Sequence, residues 1–277
     1  MSRMRIGLAI RLDDKLEENL VAAKGMGFDN CQLALWNMEY LNEEHALGTK
    51  KLLEKHRLEM TGLWCGWHQP AVWDFRDGPS TLGIVPPEYR FSRMQNLLKG
   101  AEYARVLGVR DVITHLGFIP VNPIDPNYAA VIQTLRHIAN ELKAHNQRFL
   151  FETGQETPIV VRRTIEDVGF ENLGVNYDPA NLMMYGNGNA IDGLEVLSDY
   201  ICSVHAKDGS YPTSGYTLGE EYPVGKGKVD FPKLIKRLKE IGYNGVLSIE
   251  NERTISEEQR ENEISDSRQY LLKLLAE

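Results

Sequence analysis

Cysteine is scarce. The three residues Cys31, Cys65 and Cys202 are odd in number and widely spaced. This excludes a disulfide framework and points to buried free thiols in a reducing compartment. Long apolar runs are missing too, and none approaches the ~20 residues a membrane-spanning helix needs. The N-terminal stretch MSRMRIGLAIRLDDK holds an apolar segment too short for a secretory signal, with acids directly after it. A cytoplasmic protein with no membrane partner is expected. Positive charge is in deficit, with 31 Lys and Arg against 39 Asp and Glu, a net charge of −8. Gripping a nucleic-acid backbone needs a concentrated cationic surface, so nucleic acid is not an expected partner. No Pro/Gly-rich linker, charge run or low-complexity stretch divides the chain, so residues 1–277 read as one domain.

What is present is alternation. Short apolar or β-branched runs are expected as strands at Arg5–Ile10, Asn30–Leu35, Glu59–Gly66, Asp111–Gly117, Arg148–Gly154, Leu173–Asp178, Ile201–Lys207 and Gly245–Glu250. Segments with helical spacing fall at Asp14–Met26, Glu43–His56, Tyr89–Leu107, Tyr128–His145, Pro158–Val168, Gly193–Leu197, Phe231–Ile241 and Ser256–Leu275. Glycine follows the helical runs in GMGF, LGVR and IGYNG, where a left-handed C-cap would stop a helix before the next strand. Eight strand–helix repeats in a chain of this length predict an α/β fold, a closed (β/α)8 TIM barrel. A doubly wound open sheet usually carries a Gly-rich phosphate turn after its first strand; AIRLDDK has none. Two long loops, Trp67–Glu88 and Asp208–Asp230, both follow strand C-termini, the active-site face of such a barrel.

The chemistry is concentrated at those strand ends. They read Thr114-His115, Phe151-Glu152, Tyr177-Asp178, Val204-His205 and Ile249-Glu250, while the third strand runs into Trp64-Cys65-Gly66-Trp67-His68. Taken singly, each acid could be a helix cap, a turn former or half of a salt bridge. Together, three carboxylates and an imidazole on one rim repel one another unless a cation joins them. Hard oxygens plus one nitrogen suit a single divalent ion, with Mn²⁺ the first expectation and Mg²⁺, Co²⁺ or Zn²⁺ as alternatives.

The segments FETGQE, NYDPAN, VHAKD and GKGKVDFPKLIKRLKEIGYNGVLSIENE resemble the sugar phosphate isomerase/epimerase family, the xylose isomerase-like TIM barrels that include ketose 3-epimerases and inosose dehydratases. The resemblance implies that Glu152, Asp178, His205 and Glu250 bind one metal ion. It also implies that Glu152 and Glu250 move a proton beside a carbonyl, through a metal-stabilised enediolate, in an epimerase or isomerase of a ketose or keto-sugar derivative. A lyase or dehydratase acting on a keto-sugar is the alternative, and a barrel that binds sugar without turning it over is a third. Many relatives place His three residues after the acid of the sixth strand; here that residue is Asn181. No histidine follows His205, which argues against the three-metal site of endonuclease IV. His115, Asn181, Glu156, His68, Lys207 and Trp67 are expected to contact a small-molecule sugar. Trp64 and Trp73 join Trp67 as a sugar-stacking wall or a lid anchor. Gly225-Lys226-Gly227-Lys228 reads as a loop hinge, or more weakly as a phosphate cradle. A homo-oligomer is a further family-level expectation.

Overall fold

A computed structural model describes residues 4–277; the first three residues of the expected domain lie outside the described residues. Eight parallel strands close into a barrel. They are β1 Arg5–Leu12, β2 Asn30–Leu35, β3 Glu59–Cys65, β4 Asp111–Thr114, β5 Arg148–Glu152, β6 Leu173–Tyr177, β7 Ile201–Ala206 and β10 Val246–Ile249. Two short strands, β8 Asp208–Gly209 and β9 Glu221–Tyr222, form a separate antiparallel pair in the loop after β7. The barrel closes by pairing of β1 with β10, and Arg5 stands opposite Val246.

The helices are α1 Leu16–Gly25, α2 Glu43–His56, α3 Gly78–Thr81, α4 Pro87–Leu107, α5 Pro126–Ala144, α6 Pro158–Val168, α7 Pro179–Met184, α8 Ala190–Leu197, α9 Phe231–Glu240 and α10 Glu257–Ala276. Local chemistry sets their ends. Thr157 caps α6 by accepting from the Val160 N–H, Pro158 opens it, and Gly169 closes it at φ 74°. In α9, Phe231, Leu234, Ile235 and Leu238 are buried at one-face spacing, and Asp230 caps the start. The strands bury both faces, as parallel strands between a filled barrel interior and an outer helical ring must. At the N-terminal rim, Arg148 clasps Asp111 through two hydrogen bonds of 2.6 Å and locks β4 to β5.

The expected alternation holds, with local differences. The first strand runs two residues beyond the expected Ile10 and the second ends as expected, but the later ones stop sooner: β4 ends at Thr114 and β5 at Glu152, so several chemical residues sit on loops just beyond regular strand. The α7 helix was not expected. Of the structural alternatives for the rim acids, Asp178 takes the helix cap rather than the turn, and Pro179 is a first-turn proline. All three cysteines are free; Cys31 and Cys65 are buried, while Cys202 is partly exposed. No helix among the described residues is long and apolar enough to cross a membrane.

Candidate metal centre

Four adjacent strands, β5, β6, β7 and β10, deliver Glu152, Asp178, His205 and Glu250 to one point at the C-terminal rim. Each offers one ligand atom, and these atoms all lie within 4.8 Å of one another. His205 Nδ1 is 2.9 Å from Glu152 Oε1, 3.3 Å from Glu250 Oε2 and 3.8 Å from Asp178 Oδ2. At 2.9 Å the first contact is close enough for a hydrogen bond, yet its geometry does not make one. His205 Nδ1 and Asp178 Oδ2 are both buried with no hydrogen-bond partner among the described residues. A buried lone pair aimed at buried carboxylates is costly unless a proton or a cation sits between them. The donor set therefore fits a divalent ion.

The surroundings hold each donor in place. Asp178 divides its carboxylate: Oδ1 accepts from the Asn181 N–H at 2.9 Å and caps α7, which leaves Oδ2 for the cluster. The backbone beneath is fixed by Thr153, whose hydroxyl bonds both the Asp178 carbonyl and the Asp178 N–H at 2.8 Å. Glu152 Oε2 accepts from the Trp64 indole N–H, and Oε1 from the Asn181 amide at 3.4 Å. His115 Nε2 lies 3.9 Å from Glu152 Oε1. On the other flank, Lys207 donates to Glu250 at 3.0 Å and to Glu252 at 2.6 Å, with Glu221 4.0 Å away.

Burial and charge oppose each other here. Burial pushes the Glu152 carboxyl up, but the charges of His205 and His115 outweigh it and hold the group below its ordinary value. Glu250 is likewise raised by burial and driven further down by His205 and Lys207. Asp178 is raised, chiefly by burial. Burial lowers His205, yet Glu250 and Glu152 pull it well above its ordinary value. Without a cation, this cluster balances its charge by holding a proton on the imidazole.

The family model described as "Xylose isomerase-like TIM barrel" matches residues 20–274. The chain belongs to that family. An uncharacterized protein of Methanocaldococcus jannaschii is 24% identical over 264 residues, covering 90% of this chain and 84% of the relative. Among solved structures, a xylose isomerase domain protein from Planctomyces limnophilus superposes with a TM-score of 0.93 at 28% identity, covering 98% of this chain and 97% of that one. A D-tagatose 3-epimerase-like protein superposes with a TM-score of 0.75 at 21% identity, covering 99% of this chain and 97% of that one.

The other expected residues are placed as follows. His115 and Asn181 are buried beside Glu152. Glu156, in the loop after β5, is fully buried, and its Oε2 has no partner among the described residues. Burial pushes its carboxyl up to about 8, so it is a neutral acid at pH 7. Lys207 is buried and paired with Glu250 and Glu252. His68 is exposed and stands away from the four donors, on an outer cavity that Trp67 also lines. The glycine-lysine turn is not a phosphate cradle: the N–H groups of Gly225, Gly227 and Val229 all donate to the buried Asp208 carboxylate at 2.9 to 3.0 Å. A Cβ on Gly227 would lie 2.2 Å from Asp208 Oδ1, so glycine is required there.

Two residues that shape the site are not legible in the sequence. Gln32 on β2 reaches across the barrel, its Oε1 2.6 Å from His205 Nε2. With Nε2–H donating to that oxygen, the lone pair of the neutral imidazole lies on Nδ1, toward the carboxylates. The available signal was an amide, Gln32, in the middle of the short strand NCQLAL, on the alternate set that faces inward. Arg93 on α4 is buried and donates to the carbonyls of Thr81, Gly83 and Pro70 at 2.6 to 2.8 Å, pinning the first long loop over the rim. It also lies against the Trp67 ring, 5.1 Å from its centroid.

Proposed function

We propose that this protein moves a proton at a carbon beside the carbonyl of a sugar or sugar derivative, as an epimerase or isomerase. Glu152 and Glu250 are the proton-transfer pair, and Glu152, Asp178, His205 and Glu250 hold one divalent ion, Mn²⁺ being the first to test. The observation that carries this reading is the order of donors along the rim. Glu152 and Glu250 are the outer members of the row of four, with Asp178 and His205 between them. Two bases so placed approach a bound carbon from two sides, which suits removal of a proton by one and its return by the other.

A divalent ion at this centre supplies Lewis acidity toward a carbonyl and a neighbouring hydroxyl, which makes the adjacent C–H a stronger acid. The chain's own groups supply the rest. Both glutamates are held in the ionised, proton-accepting form by neighbouring positive charge. Trp64 and Asn181 orient the Glu152 carboxylate, and Lys207 orients that of Glu250. Asn181 can donate a hydrogen bond to a substrate oxygen but cannot shuttle a proton, which leaves proton transfer to the two glutamates. His115, beside Glu152, and the neutral Glu156 are the groups we assign to substrate hydroxyls. The family membership and the epimerase-like structural neighbour support the same reaction class.

The test is NMR in D₂O with Mn²⁺-loaded protein and a panel of free ketoses, ketose phosphates, inososes and keto-glycosides. Deuterium entering beside the carbonyl, with an epimer or isomer as product, is the expected result. Loss of water or of an aglycone would replace the isomerase reading with the lyase. Metal bound without exchange on any compound would favour a sugar-binding barrel.

A further inference from the structure

Every tryptophan in the chain belongs to one cluster at the barrel mouth. Trp36 lies 4.9 Å from Trp64, 5.5 Å from Trp67 and 6.3 Å from Trp73, centroid to centroid. The close approach has a local cause: a Cβ on Gly66 would sit 2.5 Å from the Trp36 ring, so only glycine lets that ring lie against the end of β3. The cluster runs from the acid outward. Trp64 is buried and donates to Glu152, whereas Trp73 is 39% exposed.

Trp36, Trp67 and Trp73 wall a cavity of about 620 Å³ whose lining also includes Arg11, Glu39 and Glu252. None of the four proposed metal donors is part of that lining. The cavity adjoins the centre by packing: Trp64, itself outside the lining, lies against Trp36 and Trp67 and donates to Glu152, the Trp73 ring stands 5.3 Å from that of His115, and Glu252 shares Lys207 with Glu250. Its volume lies in the range of roughly 300–1,000 Å³ that takes a drug-sized ligand. A single sugar whose reacting carbons lie at Glu152 and Glu250 would leave this outer space unfilled.

Charge narrows the occupant. Arg11 shares the lining with the two acids Glu39 and Glu252. Lys207 is taken up by Glu250 and Glu252, Arg93 by backbone carbonyls, and the N–H groups of the glycine-lysine turn by Asp208. A phosphate would meet more negative than positive charge here. Flat indole faces instead suit the C–H face of a second ring.

We infer that the substrate is an uncharged two-ring compound, a keto-sugar bearing a second sugar or aromatic ring, and that the tryptophan-walled cavity is the subsite for that second ring. This rests on the proton-transfer reading for the position of the reacting sugar, but not for the cavity's preference.

The test measures binding by calorimetry on the intact Mn²⁺-loaded protein, alongside deuterium exchange. The probes are a phenyl 3-keto-glucoside, free 3-keto-glucose, its 6-phosphate, and the unreactive phenyl glucoside. The phenyl keto-glucoside should bind about tenfold more tightly than the free keto-sugar. Trp73→Ala should abolish that difference, so that the one-ring and two-ring keto-sugars bind alike. Trp73→Phe should restore most of the difference, which separates loss of stacking from loss of folding. Equal affinities for one-ring and two-ring probes, or tightest binding of the phosphate, would overturn the inference. A ring preference shown by both phenyl compounds, without exchange on any probe, would support the subsite and sink the proton-transfer reading. Exchange on the free keto-sugar without a ring preference would do the reverse.

Discussion

Glu250→Gln is expected to lower proton exchange by roughly 10²- to 10⁴-fold, the contribution of a positioned general acid–base group. The side chain keeps its size and loses its basicity. Burial would push this carboxyl up; in the metal-free protein protonated His205 at 3.3 Å and Lys207 at 3.0 Å hold it ionised and ready to accept a proton, and with an ion bound the ion's charge would take the place of the imidazolium. An amide cannot accept that proton at neutral pH. Its oxygen can still face the ion and Lys207, so the fold should persist. Because Glu250 is also a proposed donor, the rate must be expressed per bound ion, with metal content measured on the same sample. Wild-type exchange per bound ion would remove Glu250 from the mechanism.

Glu156→Gln should act on stability, and in a pH-dependent way. The Glu156 carboxyl is fully buried, its Oε2 lacks a partner among the described residues, and burial raises it from an ordinary value of 4.5 to about 8. Below pH 4.5 the carboxyl is protonated in both folded and unfolded chains, and the parent has its full stability from this group. As the pH rises from 4.5 to 8, the unfolded chain gives up its proton while the folded one keeps it. Folding therefore weakens across that window and levels off above it. The slope is about 1.4 kcal/mol per pH unit, which accumulates to roughly 3–5 kcal/mol near pH 8. Glutamine has no proton to lose. Denaturant titrations should show variant and parent matched near pH 4, with the variant more stable by that amount near pH 8. A constant difference across the range would contradict the assignment. A carboxylic acid retained at such cost suits the proposed role of a neutral O–H donor to a substrate hydroxyl.

The rim was legible because its chemistry is local. A strand that ends in Glu, Asp or His announces itself in one dimension, and the closed barrel then brings Glu152, Asp178, His205 and Glu250 within 4.8 Å. The C-terminal glycines were legible for the same reason: Gly108 and Gly242 follow their helices at φ 77° and 76°. What escaped depends on partners far away in sequence. The role of Gln32 is set by His205, 173 positions later. Arg93 looks like any helical arginine until Thr81, Gly83 and Pro70 present their carbonyls. Asp208 turns the glycine-lysine run from an anion cradle into a satisfied loop, a distinction that spacing cannot carry. Trp36 stands one residue past β2, and only barrel closure puts it between Trp64 and Trp73.

Four side chains on adjacent strands are proposed to form one divalent metal centre. Calorimetric titration of Mn²⁺ into chelator-treated protein tests it most directly. One ion per chain is expected, with binding lost in Asp178→Ala and retained in Glu261→Gln on the exposed face of α10. No binding by the parent, or undiminished binding by Asp178→Ala, would contradict the account.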